Sequence, residues 1–317
     1  MNITIQDFRV REMIDAGRYP QIATLIEAQL RIFAAHEAYL AMRFRNLSES
    51  ELAFAEDLAS LIARIAGDEL DQCCADYRWL THAVLDEEIF FRRENRYRLT
   101  TFVEALAEVY SDRVYMTRYM NGSLISQLWW ANHSQTLRYF LESYLPANRE
   151  GSRHLEIGPG HGLYLYFAAT SPRVVALSAW DVSEASLAMV RRSFTALGME
   201  RPLALHRVNM FEPANEVFDS IVLSEVLEHV EEPDRALATI AGLLAPQGRA
   251  FINVPVNSPA PDHIMLYRSP EEVFEAVARS GLEITDVLLA PATGASLARA
   301  RKLALTISTV IIARKPQ

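Results

Sequence analysis

Lysine is almost missing from this chain of 317 residues: only Lys302 and Lys315 occur, so nearly all of its positive charge is arginine. Acidic residues outnumber basic ones, the net charge is −9, and the pI is about 5.5. A basic footprint for nucleic acid is therefore lacking. Cysteine is equally scarce. Cys73 and Cys74 are adjacent, whereas a disulfide framework uses spaced cysteines; two thiols on a helix in a reducing compartment are expected. No apolar stretch is long enough to span a bilayer, the longest being LALTISTVIIA at 303–313, and the first twenty residues hold no signal-peptide core. A cytoplasmic protein without a membrane segment is the expectation.

Half of the residues are apolar and 22% are charged, enough to build a sizeable core. Up to about residue 145 the apolar spacing is helical. Ile22, Ile26, Leu30 and Phe33 make one stripe. Ser48 and Glu51 in SESE read as a capping box; Leu52, Ala55, Leu58, Ile62 and Ile65 follow on one face, and Gly67 closes the helix. Pro146 and the ANREG behind it read as a linker. This divides the chain into an α-helical domain over 1–148 and an α/β domain over 149–317.

In the second part, short apolar runs at 152–157, 174–180, 203–208, 218–224, 249–254, 283–289 and 305–313 alternate with helical stretches near 162–170, 184–198, 233–245 and 270–280. That alternation predicts a mostly parallel sheet with helices on both faces, whose ligands sit beyond the carboxyl ends of the strands. Four features fall at such ends. Glu156 is followed by glycines at 158, 160 and 162, where a backbone can approach a ligand closely. Asp181 ends the second run and is followed by Val182; an acid there grips a ribose diol. Asn209 and Met210 follow the third run and suit an adenine ring. Ser224 and Glu225 end the fourth, opening SEVLEHV. The glycine spacing is not that of a dinucleotide fingerprint.

In this order and spacing the set resembles class I S-adenosylmethionine (SAM) methyltransferases, closest to small-molecule enzymes of the ubiquinone-pathway type. The resemblance covers about 150–317. It implies a Rossmann-like core of seven strands in the order 3-2-1-4-5-7-6, with SAM as cofactor and S-adenosylhomocysteine as product. Glu156, Gly158, Gly160 and Gly162 would surround the methionine end, Asp181 and Val182 the ribose, Asn209 and Met210 the adenine. Ser224 and Glu225 would lie under the methionyl part.

Catalytic candidates are Tyr164, on the first turn after the glycines, and His229 and His263 as bases. Glu225, Glu228, His229 and His263 have the donor types of a metal site, similar to the set of small-RNA 2′-O-methyltransferases. The plainer reading, a family turn with His229 bonded to backbone and Glu228 solvated, is preferred, so no metal is expected. Tyr115, Trp129 and Asn132 of the aromatic- and amide-rich end of the helical part, with Tyr267 and Arg268 of a proline-rich loop, are the expected acceptor contacts. An aromatic and amide cap without a compelling base points to a small acceptor, an amino acid or related carboxylate, with S-methylation of methionine as the sharpest form. Three alternatives stay open: O- or N-methylation in a natural-product pathway, a cyclase or lyase releasing methylthioadenosine, and a SAM-binding protein without catalysis. A homodimer through the helical domain is also left open.

Overall fold

The computed structural model describes residues 9–213 and 215–317. Helices come first: α1 (Val10–Met13), α2 (Pro20–Ile32), α3 (Glu37–Phe44), α4 (Glu49–Ala66), α5 (Leu70–Glu94), α6 (Phe102–Ala105), α7 (Arg113–Trp129) and α8 (Ala131–Tyr139). The capping box at Ser48 and Glu51 is present in both directions, and Gly67 ends α4 at φ +54°. Cys73 and Cys74 lie on α5 as buried free thiols, their pKa values raised by burial to about 11 and about 12. α5 packs along α7, which makes these two helices the wall that later faces the site.

The α/β part runs β1 (Ser152–Ile157), α9 (Leu163–Thr170), β2 (Val174–Asp181), α10 (Glu184–Ala196), β3 (Leu203–Arg207), β4 (Phe218–Ser224), α11 (Pro233–Leu243), β5 (Leu244–Val256), α12 (Pro270–Arg279), β6 (Glu283–Pro291), α13 (Leu297–Leu303) and β7 (Ile307–Arg314). The strands form one sheet in the order 3-2-1-4-5-7-6, as the family resemblance implies. All neighbours are parallel except β7, which runs antiparallel to both β5 and β6. Two differences from the sequence reading stand out. β5 starts at Leu244, inside the stretch expected to be helical to 245 and five residues before the expected run at 249–254, and α13 occupies a segment where no helix is expected.

Side chains alternate across the sheet, as strand geometry requires. In β5, Ile252, Val254 and Val256 join the core beneath α11 and α12, whereas Phe251 faces α8, α9 and the helical half. Tyr144 fixes that second contact. Its buried hydroxyl lies 2.9 Å from Ser220 Oγ, 2.9 Å from the Arg249 carbonyl and 3.1 Å from the Ile221 carbonyl, bridging β4 and β5. The helical half thus packs on the sheet face that carries Phe251. No described helix is long and apolar enough to cross a membrane.

Candidate functional site

A cavity of about 430 Å³ opens where the carboxyl ends of β1, β2 and β4 meet α5, α7 and the loop after β5. This is the switch point of the sheet, where the strand order reverses between β1 and β4. Backbone geometry shapes its floor. Gly158 and Gly160 have φ of +67° and +51°, a region that side chains rarely adopt. A Cβ on Gly158 would lie 2.6 Å from Val226 Cγ2; one on Gly160 would meet nothing closer than Met120 Sδ at 3.9 Å, because that residue faces the open cavity.

Two carboxylates stand beside this turn. Glu156 is buried with Oε2 unpartnered, and burial, with Asp181 adding to it, pushes its pKa well above the ordinary range. Asp181 is held in place: Oδ1 accepts from the Ser183 amide at 2.7 Å and Oδ2 from the Ser186 hydroxyl at 2.5 Å. Burial raises its pKa and those two bonds oppose the rise. Asn209 and Met210 line the cavity beyond β3, with the Asn209 side-chain oxygen accepting from the Phe211 amide. Gly162 does not line the cavity; it packs its α-carbon toward Val190. The other nine cofactor candidates do line it.

At the end of β4, Glu225 is forced to φ +56°, a strained setting for a residue with a side chain. Asn253 anchors it: its Nδ2 donates to Glu225 Oε1 at 2.7 Å and to Ser224 Oγ at 3.1 Å. Burial pushes the Glu225 carboxyl up to about 7. Tyr164 is buried against Ser224, and its phenol is also pushed upward by burial.

The three sequence-predicted catalytic residues all reach the cavity. His229 Nδ1 lies 3.1 Å from the Asp262 carbonyl and 3.0 Å from the Tyr110 hydroxyl. That hydroxyl donates to Asp262 Oδ2 at 3.1 Å, and Tyr119 donates to Oδ1 at 3.0 Å. Two phenols of the helical half thereby clamp a loop of the α/β half. Burial drives the His263 pKa down to about 4 and that of His133 to about 3, so both rings are neutral near pH 7. Glu228 departs from the sequence reading. It is fully buried, not solvated, because the loop after β5 folds over it and the Ile264 and Met265 amides donate to its carbonyl at 2.9 Å.

None of the five expected acceptor contacts lines the cavity. Tyr115 sits edge-on to Trp79 at 4.8 Å. Trp129 is fully buried and donates to Gln29 Oε1 at 3.2 Å; Asn132 donates to Ser308 Oγ at 3.0 Å. Tyr267 belongs to the core beneath the sheet. Arg268 turns away and donates to the side chain and carbonyl of Asn95, both at 2.9 Å. Their neighbours take the places instead: Met116, Tyr119, Met120, Ser123 and Gln127 along α7, with Trp130 at its end. That series follows the i, i+3, i+4, i+7 period of one helix face, and Tyr115 is one residue off it. The cavity wall contains the carboxylates of Glu156, Asp181, Glu225, Glu231, Glu232 and Asp262, and no lysine or arginine among the described residues.

The chain matches an uncharacterized protein of Synechococcus sp. strain PCC 6301 at 31% identity over 104 residues, 32% of this chain. It thus spans about a quarter of that protein's length. Among solved structures, a chain of the Haloferax volcanii complex between the Trm112 methyltransferase activator and a putative methyltransferase is 14% identical. It has a TM-score of 0.52 and covers 66% of this chain and 98% of its own, which shows a shared fold. The N-methyltransferase NodS of Bradyrhizobium japonicum, solved with S-adenosyl-L-homocysteine, is 19% identical at a TM-score of 0.42, covering 58% and 86%. The family described as "Methyltransferase domain" matches residues 129–304, over half of the chain. The protein belongs to that family of methyltransferase domains.

Proposed function

We propose that the chain methylates a small acceptor that is neutral or cationic, at oxygen or nitrogen, with SAM held at the ends of β1 and β2. One observation carries the acceptor class: six carboxyl groups and, among the described residues, no lysine or arginine line the cavity. A carboxylate acceptor such as methionine would find no cation there, since the one arginine expected to meet it is bound to Asn95. Like charges facing each other in a dry site are disfavoured.

The residues present fit SAM. Glu156 Oε2 has no partner, which suits the ammonium of the methionyl part. Asp181, braced by two serines, suits the ribose hydroxyls, and Gly160 leaves the wall open where the ligand must come close. Bound there, SAM supplies a methyl group on a sulfonium; an acceptor lone pair takes it, sulfur leaves as the thioether of S-adenosylhomocysteine, and an O–H or N–H acceptor sheds one proton. The chain's part is to align, to exclude water and to take that proton. Tyr164, packed on Ser224, seals the end of β4. The two clamping phenols of Tyr110 and Tyr119 keep the loop closed over the acceptor side, and Asp262, which they hold, faces the cavity as a proton acceptor.

The direct test is a product assay. Purified protein is given SAM with phenols, catechols, amines and amino acids in separate reactions, and products are read by mass spectrometry. S-adenosylhomocysteine together with a methylated phenol, catechol or amine is expected. Methylation of amino-acid carboxylates or of methionine sulfur alone would overturn the acceptor class, and methylthioadenosine without a methylated product would overturn methyl transfer. Gly158→Ala tests the floor. Its added Cβ meets Val226 at 2.6 Å in a left-handed backbone, so SAM affinity should fall about tenfold, with a stability loss of about 1–3 kcal/mol. Calorimetry with SAM and thermal unfolding read the two effects.

A further inference from the structure

Glu228 poses a problem that the methyl-transfer reading leaves unsolved. Its carboxylate is fully buried and neither oxygen has a hydrogen-bond partner. A buried ionisable group without a partner is costly and is retained where something else satisfies it. Two imidazoles face it. His229 Nε2 lies 3.7 Å and His263 Nε2 3.9 Å from Glu228 Oε1, too far for hydrogen bonds.

Both rings are fixed from behind. His263 Nδ1 is 2.6 Å from the Ser258 carbonyl, and His229 Nδ1 is 3.1 Å from the Asp262 carbonyl. A carbonyl only accepts, so each Nδ1 carries the proton and each Nε2 keeps its lone pair. The Tyr110 hydroxyl fits the same assignment, since its own proton goes to Asp262 and its oxygen can accept from His229 Nδ1. Two lone pairs and the Glu228 carboxyl therefore converge on one gap. Backbone or carboxylate oxygens that brace an imidazole at Nδ1 are the usual second layer of a metal centre. The donor atoms of Glu228, His229 and His263 all lie within 4.8 Å of one another. Donors bound tetrahedrally to one ion at about 2.1 Å lie about 3.4 Å apart, so the set must draw in by up to about 1.4 Å to hold one.

We propose that Glu228, His229 and His263 bind one divalent transition-metal ion. Two imidazoles and one carboxylate favour Mn²⁺, Fe²⁺, Co²⁺ or Zn²⁺ over the all-oxygen preference of Ca²⁺ and Mg²⁺. His229 and His263 line the cavity, so the remaining coordination positions open toward it. Those positions take an oxygen of the acceptor, a hydroxyl or a vicinal diol. This second statement rests on the acceptor class proposed above; the ion site itself does not.

The test uses Co²⁺ as the probe. Full-length protein is dialysed against chelator and titrated with Co²⁺ without acceptor, and visible d–d absorption and calorimetry are recorded. One equivalent is expected, with absorption typical of mixed nitrogen and oxygen ligation. Glu228→Gln and His263→Gln should each weaken Co²⁺ binding by at least about tenfold while SAM affinity stays within twofold. Far-UV circular dichroism and the SAM titration report whether each variant is folded. If Glu228→Gln does not fold, His263→Gln alone decides. Absence of a Co²⁺ band at millimolar ion, or unchanged binding in a folded variant, overturns the site. Co²⁺ binding combined with methylation of amines only would leave the ion site standing and remove its acceptor role. Methylation of hydroxyl acceptors at full rate by protein that binds no Co²⁺ would remove the ion site and leave the acceptor class standing.

Discussion

Asp181→Ala is expected to weaken SAM binding by about a hundredfold or more while leaving the fold intact. The carboxylate stands at the last residue of β2, one strand away from Glu156, and the Ser183 amide and Ser186 hydroxyl already fix its orientation at 2.7 and 2.5 Å. Little reorganisation is therefore needed to meet a diol. Hydrogen bonds to a charged partner contribute about 1.5–3 kcal/mol each, and two of them give about 3 kcal/mol or more. At 1.4 kcal/mol per tenfold, that is roughly two decades in Kd. Asp181→Asn keeps one acceptor oxygen and loses the charge, so about a tenfold loss is expected. The Ser183 hydroxyl, which caps α10 by accepting from the Ser186 amide, remains in both variants, so the helix start survives. Calorimetric titration with SAM reads the effect, with circular dichroism as the control for folding. A folded Asp181→Ala protein with unchanged SAM affinity would remove Asp181 from the ribose and displace the whole placement of the cofactor.

The α/β half was largely legible because its signals are local. A switch from a helical period to short apolar runs marks each strand, and the glycines after Glu156 mark a turn that glycine makes without strain at φ +67° and +51°. The chain between Leu244 and Gly248 was not legible, since its proline and glycine usually end strands, yet here β5 begins there beside β4. In the cap, type was legible and direction was not. The sequence showed aromatics and amides near 110–140, but a helix rotates by about 100° per residue, so Tyr115 faces Trp79 while Tyr119 faces the cavity. The chain also bends at Trp130, which leaves α7 with φ −90° and ψ 122°, so Trp129 and Trp130 point to different places. Long-range pairs are invisible in a single sequence. Arg268 with Asn95, Asn132 with Ser308 and Trp129 with Gln29 each join residues far apart in the chain. Burial of Glu228 belongs to the same class, because it depends on a loop more than thirty residues further on.

Trp129→Ala is expected to cost about 3–5 kcal/mol of stability and to leave the acceptor KM of the folded fraction unchanged. The indole is fully buried and meets Phe44 edge-to-face at 6.0 Å. Its N–H donates to Gln29 Oε1, and Gln29 Nε2 donates to the Cys74 carbonyl on α5. Truncation therefore opens a cavity and leaves a buried amide oxygen without its donor, two costs of separate origin. Trp129→Phe keeps much of the volume and loses only the N–H, so a smaller cost of about 1–3 kcal/mol is expected. Chemical denaturation of both variants separates the two contributions. Trp130 supplies the contrast. It lines the cavity, lies edge-on to His133 at 4.8 Å and donates to the Tyr77 hydroxyl at 3.0 Å, so Trp130→Ala should raise the acceptor KM. If Trp129→Ala instead raised KM at unchanged stability, the rotation assigned to the end of α7 would be wrong, and the acceptor wall would have to be rebuilt from the opposite helix face.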